Sequence, residues 1–306
     1  MAEEMKILFC IDDSIQWEAA LRFGAQITVA CRAEPSVLAI TSRARRESAL
    51  TQAVVRAQDI FRERQISVKA FTRVGDPVRE IINHTTENQY DLVVLGALCK
   101  GKMLSLIAPW WLSAQAGSAH RIIESVEPPV LVVFCSAPEL RRILLCTSGD
   151  SHTNKAVEFA GKLARCIHAA VNLFHVMQEP PAVYADLMAF EENADRLLAS
   201  NSKLGRALRY QKNLLERLGV FGEIRLRHGL VVPELLKELQ TGDYDLVVSG
   251  SAPAEQKLYR YVMGDVTREI VNRAQLPVLV VRTGPGKIAG LFRELLTNML
   301  LYLKRR

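Results

Sequence analysis

Gly96-Ala-Leu-Cys-Lys-Gly101-Lys102 has the glycines and lysine of a phosphate-cradling loop, but Met103 follows where such a loop needs a hydroxyl for Mg²⁺. The run also trails an apolar, strand-like segment instead of opening a domain, which sets Walker-type chemistry aside. The six histidines are scattered, and no His-Glu-x-x-His occurs. No metal site is expected from them. His175 ends a strand-like run and reads as packed beside a cleft. Asp12 and Asp13 could pose as an acid–base pair, yet neighbours at a strand end point to opposite sides, so at most one faces a cleft. Neither a Gly-x-Ser-x-Gly elbow nor a Cys/His nucleophile pairing is legible. No residue pattern here carries catalysis by itself, and an enzyme reading must borrow from fold analogy.

A chain of 306 residues, 49% hydrophobic and 24% charged, suits two domains that each bury a core without staples. Cys10, Cys99, Cys135 and Cys146 sit in or beside apolar strand-like runs, as reduced core residues of a cytoplasmic chain do. Met1-Ala-Glu-Glu4 is acidic and Ile7–Ile11 is too short an apolar run for a leader, and no stretch approaches a membrane span. Of the net charge of +6, residues 287–306 contribute +4 through Lys287, Arg293, Lys304, Arg305 and Arg306 against Glu294. The body is near neutral, which argues against nucleic-acid binding.

The elements that would position any site occur twice. Asp91-Leu-Val-Val-Leu-Gly96 returns as Asp245-Leu-Val-Val-Ser-Gly250, and Pro129-Val-Leu-Val-Val133 returns as Pro277-Val-Leu-Val-Val281. Each copy alternates β-branched runs with amphipathic segments, the pattern of βα units on a parallel sheet. Strands are expected at 7–11, 37–41, 68–72, 92–95 and 130–134, then at 143–146, 170–175, 223–227, 246–248 and 278–281. Ile7 matches Ile143 at an offset of 136, and Gly75 matches Gly229 at 154, so copy two gains 18 residues between its second and third strands. These should lengthen one helix into a rod from Ala185 to Leu218, with Gly205 as its bend. The domains expected are 1–137 and 138–284, followed by an amphipathic basic helix over 285–306.

This arrangement resembles the universal stress protein family in its tandem form. The resemblance rests on Ile7-Leu-Phe-Cys-Ile-Asp-Asp-Ser14, on Gly75-Asp-Pro77 and Gly229 opening helices, and on the two duplicated motifs above. It implies an α/β fold: two tandem doubly wound five-stranded parallel-sheet domains, Rossmann-like with order 3-2-1-4-5, with any ligand outside the carboxyl ends of strands one and four. Family members that bind nucleotide carry Gly-x-x-Gly, nine residues, then Gly-Ser or Gly-Thr. Glycines there let backbone N–H groups reach phosphate, and an Asp after strand one meets the base.

Copy one keeps Asp12, Gly96 and Gly117-Ser118, but Cys99 replaces the second glycine. A loop, Met103-Leu-Ser-Leu-Ile-Ala-Pro-Trp-Trp-Leu112, intervenes that either covers a ligand or fills the cleft. Copy two keeps Gly250, Gly264 and Thr267, yet has Ser148 for the Asp, Pro253 for the second glycine, and Asp265, an ordinary N-cap, after Gly264. Thr41 and Val176, at the ends of the second strands, complete the candidate cofactor-binding set. The resemblance implies ATP or another adenine nucleotide in copy one and a degraded site in copy two. A slow ATP hydrolase, or an interaction module without nucleotide, stand as alternatives.

The apolar last strands should pair within the chain, because two free edges of that kind invite aggregation. A homodimer is expected beyond that. Trp110-Trp111 reads as finishing a core or an interface. The stripe and basic end of 287–306 suit packing on the body, a partner protein or an anionic membrane surface.

Overall fold

The protein is described from a computed structural model, which covers residues 4–12, 17–41, 47–96, 119–134, 139–177, 194–251 and 265–282. In the first half β1 (Lys6–Ile11), α1 (Trp17–Cys31), β2 (Glu34–Thr41), α2 (Glu47–Arg62), β3 (Lys69–Val74), α3 (Pro77–Glu87) and β4 (Leu92–Gly96) precede helical residues 119–125 (α4) and β5 (Val130–Val133). The second half repeats the order. It runs β6 (Arg142–Cys146), α5 (Asn154–Ile167), β7 (Ala170–Met177), α6 (Ala194–Ala199), α7 (Lys203–Arg217), β8 (Ile224–His228), α8 (Val231–Thr241), β9 (Leu246–Ser251), α9 (Asp265–Arg273) and β10 (Val278–Arg282).

All ten strands form one sheet in the order β3-β2-β1-β4-β5-β10-β9-β6-β7-β8, so each half is doubly wound as 3-2-1-4-5. The halves join where expected. Val278, Leu279 and Val280 of β10 pair antiparallel with Val132, Leu131 and Val130 of β5, and every other pairing is parallel. Fusing the two apolar edges leaves β3 and β8 as the outer strands, and Lys69, Arg73, Arg225 and Arg227 supply the charges that discourage further pairing there.

Strand alternation sends one set of side chains to each face. Ile7, Phe9 and Ile11 pack with α1, α2 and α5 on one side; Leu8 and Cys10 pack with Val78, Ile81, Ile122 and Ile270 on the other. Both layers run unbroken through β5 and β10, so the halves share their cores.

The duplicated Asp-Leu-Val-Val motif has a structural cause. The Asp91 carboxylate accepts the Lys6 backbone N–H at 2.7 Å, and that of Asp245 accepts those of Arg141 and Arg142, each at 2.8 Å. Each aspartate thus ties the start of its half's first strand to the strand that reads out the motif. The prolines follow the same logic, since the carbonyls of Pro129 and Pro277 accept from Val93 and Val247 while neither ring has an N–H to leave unpaired.

The long rod is not formed as one helix. Within the described part of that stretch, helix runs over Ala194–Ala199, breaks at Ser200-Asn201-Ser202, and restarts at Lys203. Ser200 Oγ donates to the Leu197 carbonyl and Ser202 Oγ accepts from Gly205 N–H at 3.0 Å, side-chain bonds that replace helical ones and cap the second segment. Gly205 is therefore not the bend. It is the contact point between the segments, since a Cβ there would sit 2.3 Å from the Leu197 carbonyl oxygen. Residues 178–193 lie outside the described residues, as do 283–306 and thus the expected C-terminal helix.

Candidate functional site

In each half the crevice of the doubly wound sheet opens between the first and fourth strands, where chain order reverses. Cys10 pairs with Leu95 in one half and Cys146 with Ser249 in the other. In half one the strand ends bring together half-buried Asp12, just past β1, and exposed Gly96, the last residue of β4. Thr41 ends β2, buried, with its carbonyl accepting Gly75 N–H at 3.0 Å. Gly117, Ser118 and the Met103–Leu112 loop with Trp110-Trp111 lie outside the described residues.

Half two presents a different crevice. The backbone turns after β6 at Gly149, whose φ of +73° belongs to the left-handed region, and a Cβ there would lie 2.2 Å from Leu204 Cδ1. So α7, carried by the inserted stretch, presses against the turn that follows the first strand. Beneath it lies a closed polar cage. Gln211, fully buried, accepts from Thr147 Oγ1 at 2.8 Å and donates through Nε2 to Thr153 Oγ1 at 3.0 Å and to the Asp150 carbonyl and Asn154 Oδ1 at 3.1 Å. The hydroxyls of Thr147 and Thr153 meet at 2.9 Å, and Gly149 N–H donates to Thr147 Oγ1. Asp150 accepts from Ser148 Oγ and His152 N–H on one oxygen. Ser148, in the position of Asp12, is therefore committed to its own turn.

The copy offsets show what this cage replaced. Thr147, Thr153 and Gln211 stand where half one has Ile11, Trp17 and Ala57, all buried in the core. Half one fills the volume with an indole, whose Nε1 is buried without a hydrogen-bond partner among the described residues. Half two fills it with three mutually satisfied polar side chains.

The remaining candidates in half two face inward. Thr267, at 2% exposure, has its hydroxyl 3.2 Å from Ser249 Oγ. Gly250 lies under α5, where a Cβ would approach Thr153 Cγ2 at 3.2 Å. Val176 is half-buried and one residue short of Thr41's counterpart, because Met177 accepts Gly229 N–H as Thr41 accepts that of Gly75. Gly264 lies outside the described residues.

The chemistry at these strand ends is muted. His175 donates from Nδ1 to the Thr147 carbonyl at 2.9 Å. Burial holds its pKa below the ordinary value, against smaller upward pulls from that bond and from Asp150, so it is a neutral donor near pH 7. Burial pushes the Cys146 thiol up to about 12, and that of Cys10 upward as well, which removes both as thiolate nucleophiles. Among the described residues no group of three or more His, Cys, Asp or Glu could hold a metal ion, and no helix is long and apolar enough to cross a membrane.

Two doubly wound units fused edge to edge, each with its crevice at the chain-order reversal, define the class: a tandem Rossmann-like α/β protein. The Universal stress protein family profile matches residues 5–133 and again 139–282. The chain belongs to that family, in two copies. A universal stress protein of Methanocaldococcus jannaschii is 25% identical over 142 residues, 46% of this chain and 82% of that protein. Among solved structures, a putative universal stress protein from Pseudomonas aeruginosa superposes with a TM-score of 0.68 at 16% identity, covering 95% of this chain and 97% of that one. One from Archaeoglobus fulgidus gives 0.66 at 16%, covering 91% and 98%. These two likenesses establish the fold.

Proposed function

We propose that this is a stress-response module that acts by binding without turnover, and that it takes one adenine nucleotide per chain, in half one. The observation that carries the asymmetry is the Gln211 cage: half two spends its crevice floor on internal hydrogen bonds, and Leu204 packs against the turn that would flank a base. Half one has Ile11, Trp17 and Ala57 in those places and keeps Asp12 and Gly96 at the strand ends. In this reading Asp12 meets the base or ribose, Gly96 and Gly117 give backbone N–H groups access to phosphate, and Ser118 donates to it. Thr41 closes the neighbouring strand end. Gly250, Gly264 and Thr267 are remnants of the second site.

Isothermal titration of the full chain with ATP, ADP and AMP at millimolar concentration tests this. One site per chain is expected, weakened by Asp12→Ala and unchanged by Gln211→Leu. Absence of heat with all three nucleotides, or two equal sites, overturns it. Steady ADP release from ATP would replace the binding reading with slow hydrolysis.

A further inference from the structure

Helices α1 and α5, one from each half, pack together over the β5–β10 junction. Each ends next to a cysteine: Cys31 is the last residue of α1, and Cys166 the penultimate residue of α5. The repeat offset of 136 sets Ile167, next to Cys166, as the counterpart of Cys31. The two thiols thus approach each other near the pseudo-twofold relation of the halves. Both cysteines are free and half-buried, and their side chains are in hydrogen-bonding contact. Cys10 is packed on the opposite face of the sheet, and Cys146 belongs to that layer too.

We propose that Cys31 and Cys166 form a redox-modification site, oxidised by a peroxide to a disulfide that links the two halves. Cys166 is the attacking thiol. Burial first, then the hydrogen bond and the charge at Cys166, push the Cys31 pKa upward, so Cys31 is poorly suited to attack first and takes the resolving role. Cys166 Sγ as thiolate attacks one peroxide oxygen, the O–O bond breaks, and hydroxide leaves and takes a proton from solvent. The resulting sulfenic acid is then attacked by Cys31 Sγ as its own proton passes to solvent base. The S–O bond breaks, water leaves, and the S–S bond closes. Two thiols give up two electrons and two protons, and one peroxide becomes two waters. The product cross-links α1 to α5, so the junction resists separation under oxidising conditions.

The site is independent of any nucleotide. It is tested on the reduced full-length chain treated with hydrogen peroxide, alkylated under denaturing conditions and mapped without reductant. Expected are the loss of two hydrogens, a linked peptide pair containing Cys31 and Cys166, and its reversal by dithiothreitol. In Cys31→Ser, dimedone should trap a sulfenic acid at Cys166. The oxidised wild type should melt at a higher temperature than the reduced one, a shift absent from Cys31→Ser. The proposal is overturned if both thiols stay alkylatable after peroxide, if either links to another cysteine, or if oxidation lowers the melting temperature.

Discussion

Replacing Gln211 by Leu is the sharpest probe of the cage that distinguishes half two. Leu keeps roughly the volume and removes every polar atom, so four hydrogen bonds to Thr147, Thr153, Asp150 and Asn154 disappear. Two of the losses are softened. Thr147 can donate to Thr153 at their 2.9 Å separation, and Thr153 already has the Asp150 carbonyl at 3.1 Å. The bond to Asn154 Oδ1 is lost outright, and the Asp150 carbonyl keeps only the Thr153 hydroxyl. At about 1 kcal/mol net per bond and more where a buried group is stranded, the cost should be about 2–3 kcal/mol. The triple variant Thr147→Ile, Thr153→Trp, Gln211→Ala, which installs half one's apolar set, removes the three side chains of the cage together and leaves only the Gly149 N–H, the Asp150 carbonyl and Asn154 Oδ1 to find other partners. It should be more stable than the single variant, because no threonine hydroxyl is left stranded and the volume is filled by apolar packing. Urea unfolding followed by circular dichroism reads both, with midpoints compared at constant slope. A cost below about 0.5 kcal/mol for Gln211→Leu, or a triple variant no more stable than the single one, refutes the reasoning.

The junction and the buried imidazole give two further tests. Arg282 at the end of β10 donates across the junction to the carbonyls of Ile123 and Glu124 in the last turn of α4 and of Val126 just past it. Arg282→Met keeps the stem and should cost about 1–3 kcal/mol in the same urea assay, and a neutral result would refute the clasp. His84, with Nε2 at 3.0 Å from the Tyr90 hydroxyl, has its pKa held below the ordinary 6.5 by burial and by Arg73, against an upward pull from Glu87. The unfolded chain therefore takes up the proton first, so the contribution is complete above about pH 6.5 and is lost as pH falls below it. Stability measured from pH 7.5 to 5 should fall less steeply in His84→Gln than in wild type. Equal slopes would remove His84 as a titrating group.

Much of the fold was legible because its signals are local. Each strand is a β-branched apolar run, and the doubling of Asp-Leu-Val-Val and Pro-Val-Leu-Val-Val gives order and pairing at once. Strand ends were less so: β2 starts at Glu34 and β7 continues to Met177, where hydrogen bonding outruns the apolar pattern. The break at Ser200–Ser202 was present as a Ser-Asn-Ser cap, but the leucine periodicity continues through it and masks it. Gln211 had no local signal, since a glutamine in an amphipathic helix ordinarily faces water. It becomes visible only when the copies are laid over one another with both offsets, which match Thr147 to Ile11 and Gln211 to Ala57.

That superposition shows a rule in how the halves differ. On the other face of the sheet, Arg227, Glu238 and Tyr244 match Arg73, His84 and Tyr90 at the offset of 154. In half two Arg227 donates twice to Glu238 Oε2, at 2.8 and 3.2 Å, and Tyr244 donates to Oε1 at 2.9 Å, so a carboxylate at 4% exposure is fully paired. In half one the imidazole keeps the tyrosine but cannot accept two guanidinium donors. Arg73 instead reaches its neighbour's carbonyl on Thr72, and His84 Nδ1 is left buried without a hydrogen-bond partner among the described residues. Trp17 Nε1 is in the same position. Half two therefore closes the two sets built around Gln211 and Glu238, while at the matching places half one has a buried Trp17 Nε1 and a buried His84 Nδ1 with no hydrogen-bond partner among the described residues. Closed sets specify one rigid arrangement, because any opening strands several groups at once. An unmatched group loses nothing when its surroundings shift. On these grounds the floor closed around Gln211 in half two is the stiffer of the two, and the matching floor of half one is the freer to repack.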